Sequence, residues 1–143
     1  MKDNLVRDKS YAFASRIVKA YKYLTAEKRE FIMAKQLLRC GTSIGANVEE
    51  ALAGVSRPDF VHKLTISAKE CRETSYWLRL LHDNDYLPDP LFDSLHDQNA
   101  ELLRILTSII LNPSCRVLKL ELVISSSPQL GFLTAQNKRG KDE

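Results

Sequence analysis

Four stretches of this chain repeat apolar residues every three or four positions, and breaks containing Gly, Pro, Asn or Asp set off the third and the fourth. That period belongs to amphipathic helices. A strand would need strict alternation, which no long stretch before residue 115 sustains. The first stretch, residues 10–24, carries Phe13, Ala14, Ile17, Val18, Tyr21 and Leu24 on one side, with Asp8 or Ser10 as its cap. The second, residues 26–53, carries Phe31, Ala34, Leu37, Leu38, Ile44, Val48 and Ala51. As one helix it would be roughly 40 Å long. The third opens at Ser56-Arg57-Pro58-Asp59, a capping-box-like start, and runs through Phe60, Leu64, Cys71 and Leu78 to Asp83. Asn84-Asp85-Tyr86-Leu87-Pro88 breaks it. The fourth starts with Asp89 as N-cap and Pro90 in first position, and continues through Leu95, Leu102 and Ile109 to Asn112. Four helices with short connections predict an all-α, antiparallel, up-down-up-down four-helix bundle over residues 1–112. The tail, 113–143, reads as a short strand at 117–124 followed by a poorly structured polar end.

A chain of 143 residues, 44% hydrophobic and 27% charged, is expected to form one soluble domain with its own core. Cys40, Cys71 and Cys115 are odd in number and widely spaced, which argues for a reducing compartment over a disulfide framework. The first residues lack the apolar core of a signal peptide, and no apolar run approaches the roughly 20 residues of a membrane span. The expected location is cytoplasmic, with no membrane partner.

One stretch departs from the bundle pattern: Cys40-Gly41-Thr42-Ser43-Ile44-Gly45-Ala46-Asn47-Val48-Glu49-Glu50-Ala51. Ser43, Asn47, Glu50 and Gly54 fall on one helical face. Glu70 and Glu73 on the third helix are placed to meet them at mid-bundle. Such a meeting would make either a ligand or metal site, or a polar network that fixes register or joins subunits, and the second reading is favoured. A ferritin-like di-metal centre needs Glu-x-x-His pairs, but Glu70 is followed by Glu73, and Glu101 by Arg104. Gly41-x-x-x-Gly45 lacks the Gly-Lys-Ser/Thr of a phosphate loop and suits close helix packing. Cys40 and Cys71 lie on apolar faces, where cysteine acts as a small hydrophobe. No catalytic residue, metal or cofactor is expected, and the chain is not read as an enzyme.

Charge is uneven. Residues 1–43 hold ten Lys/Arg and four Asp/Glu, a net of +6, whereas the whole chain is +3. Lys28, Lys35 and Arg39 would share one face of the second helix, within about 40°. With Lys9, Arg16, Lys19 and Lys22 on the first helix they would form a continuous basic surface, and Tyr11, Tyr21 and Tyr23 could stack on bases. An ordinary solvated face is the simpler alternative. Asp89, Asp93, Asp97 and Glu101 step along the fourth helix as an acidic stripe that repels itself. A basic helix of a neighbouring subunit would offset that.

Several of these residues carry a resemblance. Ser10-Tyr11-Ala12-Phe13-Ala14, Gln36-Leu37-Leu38-Arg39 and Ser43-Ile44-Gly45-Ala46-Asn47-Val48-Glu49-Glu50-Ala51 stand in the first two helices. Phe60-Val61-His62-Lys63-Leu64, Ala68-Lys69-Glu70-Cys71-Arg72-Glu73-Thr74 and Trp77-Leu78 follow in the third. From Asp8 to about Leu111 the chain resembles the bacterial 23S rRNA intervening-sequence proteins. The resemblance implies a homopentamer and no enzymatic activity. A related branch resembles accessory proteins of diversity-generating retroelements, which bind nucleic acid and act with a reverse transcriptase. It also implies a structural or assembly role for Ser43, Asn47, Glu50 and Glu73, and Glu70 is grouped with them by its place on the third helix.

The expected function is therefore a non-enzymatic, oligomeric helical scaffold. RNA or DNA would be held through Lys9, Arg16, Lys19, Lys22, Lys28, Lys35 and Arg39. The alternative is a protein–protein adaptor that binds no nucleic acid, in which the acidic fourth helix meets the partner.

Overall fold

The computed structural model describes residues 4–112. The expected strand at 117–124 and the polar end after it lie outside the described residues. Four helices follow one another: α1 Leu5–Ala26, α2 Ile32–Ala53, α3 Arg57–Asp83 and α4 Asp89–Leu111.

Local chemistry sets each boundary, and three boundaries differ from expectation. Helix α1 begins before Ser10 because Asn4, in extended conformation, accepts the amide of Arg7 on its side chain. Neither Asp8 nor Ser10 is the cap. The second helix, expected from residue 26, starts only at Ile32, and α1 runs on to Ala26, so the connection falls at residues 27–31. Arg29 there adopts a left-handed backbone with φ 54°. Glu30 then serves both helix ends. Its backbone N–H donates to the Leu24 carbonyl (3.0 Å) at the end of α1. Its carboxylate accepts the Ile32, Met33 and Ala34 amides at 3.2, 3.1 and 2.7 Å. A carboxylate on the orphan amides of a helix start is favoured by hydrogen bonding and by the helix dipole together. Ser56 caps α3 as expected, accepting the Asp59 amide. At α4 the cap is Pro88, and Asp89 sits in the first turn with its side chain turned to His82 instead (2.7 Å).

The cross-helix contacts run in reverse order along each pair. Ser10 lies opposite Gly45, and Ile17 opposite Gly41, between α1 and α2. Ser67 meets Ile44, and Lys63 meets Glu50, between α2 and α3. Asn99 meets Cys71, and Asp89 meets His82, between α3 and α4. Lys9 meets Glu101, and Arg16 meets Ser94, between α1 and α4. Every neighbouring pair is thus antiparallel. The diagonal pairs make no close backbone approach among the described residues, and α1–α4 is the sparsest of the four sides.

The core holds the residues that the helical period selected, including Phe13, Ile17, Leu37, Ile44, Leu64, Leu78, Leu95 and Leu106. Each large apolar side chain buried this way contributes about 1.5–3 kcal/mol. The glycines of α2 allow α1 close in. A Cβ on Gly41 would stand 2.8 Å from Ile17, and one on Gly45 would stand 3.3 Å from the Ser10 carbonyl oxygen. Two buried polar side chains bridge helices through backbone carbonyls. Ser67 Oγ donates to Ile44 (2.8 Å), and Asn99 Nδ2 donates to Cys71 (2.8 Å). The Asn99 Oδ1 is buried without a hydrogen bond.

Candidate nucleic-acid interface

The seven cations expected to form one surface separate into two groups. Three are engaged by the chain itself. Lys9 pairs with Glu101 of α4 at 2.8 Å. Arg16 donates to Ser94 (2.9 Å) and to Gln98, also on α4. Arg39 pairs with Glu73 of α3 and approaches Glu70 at 3.7 Å. The continuous basic face over α1 and α2 is therefore not formed, because α4 and α3 draw those side chains to the edges of the bundle. Lys28 is corrected as well: it lies in the α1–α2 connection, on no face of α2.

The remaining four converge differently. Lys19 and Lys22 belong to the last two turns of α1, Lys28 to the connection, and Lys35 to the first turn of α2. All four are exposed, and none has an ion-pair partner among the described residues. Arg29, which the sequence reading passed over, joins them, and its left-handed backbone marks the tip of the turn. Phe31 and Ile32 stand beside them, 53% and 80% exposed. A helical hairpin thus presents five unpaired cations and two apolar side chains at one end of the bundle. Lys19 also borders an open groove of about 310 Å³ between α1 and α4, lined with Arg16, Ala20, Tyr23 and Leu91.

The polar motif of α2 does not close into a site. Asn47 donates to the Ser43 carbonyl of its own helix (2.8 Å), and exposed Glu50 pairs with Lys63 (2.7 Å). Glu70 and Glu73 face Arg39, further up the helix. The expected meeting of Ser43, Asn47 and Glu50 with Glu70 and Glu73 is overturned, because Lys63 and Arg39 take the two acidic groups separately. The two carboxylates on Arg39 differ. Its guanidinium holds the Glu73 carboxyl below the usual range, and Trp77 Nε1 adds a bond at 3.2 Å. Burial pushes Glu70 upward despite the same cation. Among the described residues no three His, Cys, Asp or Glu side chains converge as a metal would require.

Cys40 and Cys71 are buried, and burial raises their thiols to about 11 and about 12. Both stay protonated at neutral pH, so neither is an activated nucleophile. The acidic stripe of α4 is partly consumed within the chain: Glu101 by Lys9, and Asp89 by His82. Asp93 and Asp97 remain exposed, with no partner among the described residues.

A family profile described as 23S rRNA-intervening sequence protein matches residues 2–108. The chain belongs to that family. A solved structure from Bacteroides thetaiotaomicron, a protein with unknown function from the S23 ribosomal protein family, is 48% identical and superposes with a TM-score of 0.74. The similarity covers 75% of this chain and 99% of that one. No curated protein matches. The four-helix architecture is shared with that structure. No described helix is long and apolar enough to cross a membrane.

Proposed function

We propose that the protein is a non-enzymatic, oligomeric helical scaffold that associates with nucleic acid through the α1–α2 end of its bundle. The observation that carries this reading is the set of unpaired cations Lys19, Lys22, Lys28, Arg29 and Lys35, gathered at one end while Lys9, Arg16 and Arg39 are engaged by α4 and α3. A phosphate chain is the polyanion such a cluster fits, and binding by released counterions needs no sequence readout. The resemblance and the family name, which refers to ribosomal RNA, favour RNA. Self-association, with a pentamer as the expected state, would multiply the cluster and raise avidity.

Light scattering coupled to size exclusion, with and without a short structured RNA at two salt concentrations, tests this. The expected result is an oligomer that carries RNA at low salt and releases it at high salt. Each phosphate neutralised should contribute a slope of about −0.7 to −0.9 in log K against log salt. Lys28→Glu with Lys35→Glu should flatten that slope. An oligomer indifferent to RNA at both salts ends this reading.

A second reading rests on exposed Asp93 and Asp97. They suit a basic protein partner of an adaptor, such as a reverse transcriptase. Reversing both to Lys should then abolish partner capture, while RNA binding stays unchanged.

A further inference from the structure

We infer that the outer face of α3 is a stacking platform for single-stranded nucleic acid, centred on Tyr76 and flanked by Lys69, Arg72 and Arg79. This rests on the nucleic-acid reading and adds to it the strandedness of the ligand and a second contact face.

Lys69, Arg72, Tyr76 and Arg79 recur at three- and four-residue steps, which puts them on one stripe of α3 spanning about 15 Å. All four are exposed, and the three cations have no ion-pair partner among the described residues. Arg72 and Arg79 only graze carbonyls of their own helix, at 3.4 Å. Tyr76 is 50% exposed, a large ring left on the solvent side of α3, whose other large apolar residues are buried or half-buried.

That ring is also held. It meets Trp77 edge-on, with centroids 5.0 Å apart and planes at 77°. Trp77 Nε1 donates to Glu73, and Glu73 is paired with Arg39 of α2. The chain of contacts Arg39–Glu73–Trp77–Tyr76 ties the ring to two helices. An edge contact occupies at most one face of Tyr76, so a face stays open to stack on a base. A fixed aromatic ring among unpaired cations is the arrangement that binds unpaired strands, since bases within a duplex present no open face. Two acidic groups border the stripe. Glu73 is committed to Arg39 and Trp77, and Asp83 lies at its far end beside His82. The antiparallel register set by Arg39 and Glu73 brings Lys35 to the level of Tyr76. One strand could therefore run from the α1–α2 cations onto α3.

Fluorescence anisotropy of a labelled single-stranded oligoribonucleotide, and of the same sequence annealed to its complement, tests this on the full chain. The expected result is tighter binding of the single strand. Tyr76→Ala should weaken it about tenfold or more, and Tyr76→Phe should keep it. The chain has one tryptophan, and it touches Tyr76, so its emission should change on binding the single strand and not the duplex. Wild-type protein that binds both ligands, with Tyr76→Ala binding as tightly as wild type, overturns the platform and leaves the nucleic-acid reading standing. Wild-type protein that binds neither ligand at low salt overturns both. A Tyr76→Ala loss that Tyr76→Phe does not restore also counts against the platform, because phenylalanine keeps the stacking ring.

Discussion

The two flanks of α2 are unlike. Toward α1 the helix offers Gly41 and Gly45, and the neighbouring backbone comes within van der Waals reach of it. Toward α3 it offers Arg39 and Glu50, which meet Glu73, Glu70 and Lys63. The first flank is joined by shape with one exposed ion pair, Arg7–Glu49 at 2.9 Å, and the second carries the other ion pairs of α2. The unusual run from Cys40 to Ala51 is divided between them: its glycines and Glu49, which pairs with Arg7, belong to α1, and Glu50 belongs to α3. The energetic consequences differ in size. Close packing tolerates no added volume, whereas exposed ion pairs contribute about 0–1 kcal/mol each.

The largest expected effect comes from breaking the close flank. Gly41→Val should destabilise the bundle by about 1–3 kcal/mol, because its side chain must displace Ile17. Chemical denaturation measures this. Ile17→Ala in the same chain should recover part of the loss, which a double-mutant cycle reads as coupling. Purely additive losses would mean that the two residues do not share that space.

The start of α2 should respond next. Glu30→Ala leaves the Ile32, Met33 and Ala34 amides without their acceptor and should cost about 0.5–2 kcal/mol in thermal unfolding. An unchanged midpoint would show that solvent replaces the carboxylate in full.

The charged flank should yield smaller effects that depend on pH. Glu73 has a lowered carboxyl, so its stabilisation is present above the usual carboxylate range and is lost as pH falls through its folded value. Glu70 has a raised carboxyl, so its contribution is full at low pH and is lost as pH rises through its folded value. Between about pH 4 and pH 7, Glu73→Gln should fall behind wild type, and Glu70→Gln should draw level or gain. Parallel curves for both variants would remove the distinction between the two carboxylates. Glu50→Gln should be the mildest change, within about 0.5 kcal/mol at neutral pH, since its pair with Lys63 is exposed.

Helix count and core were legible because Phe13, Ile17, Leu37, Ile44, Leu64, Leu78 and Leu106 all repeat at helical spacing, a local property of the chain. The place where α1 gives way to α2 was not. Ala26-Glu27-Lys28-Arg29-Glu30 are all residues that a helix accepts, and the left-handed Arg29 and the reach of Glu30 emerge only when α1 and α2 pack. Glu30 lying four residues before Ala34, ahead of an apolar run, was the available cue for a cap. The basic surface was misjudged for a related reason. Whether a lysine is free depends on partners far along the chain, as with Lys9 and Glu101 or Arg39 and Glu73. The stripe at Lys69, Arg72, Tyr76 and Arg79 did have the right period, but residues 44–85 around it hold five Lys/Arg against seven Asp/Glu.

Asn99 has a consequence for how the bundle finds one alignment. Greasy helices can slide past each other by a turn, about 5.4 Å, and still cover most of their apolar area. Here such a slip would carry the Asn99 amide away from the Cys71 carbonyl and set its N–H groups against leucines and isoleucines. With its oxygen already lacking a partner, the residue would have none at all. A single amide in the core thus acts as a notch: it adds little to the depth of the native state and raises the energy of its nearest competitors.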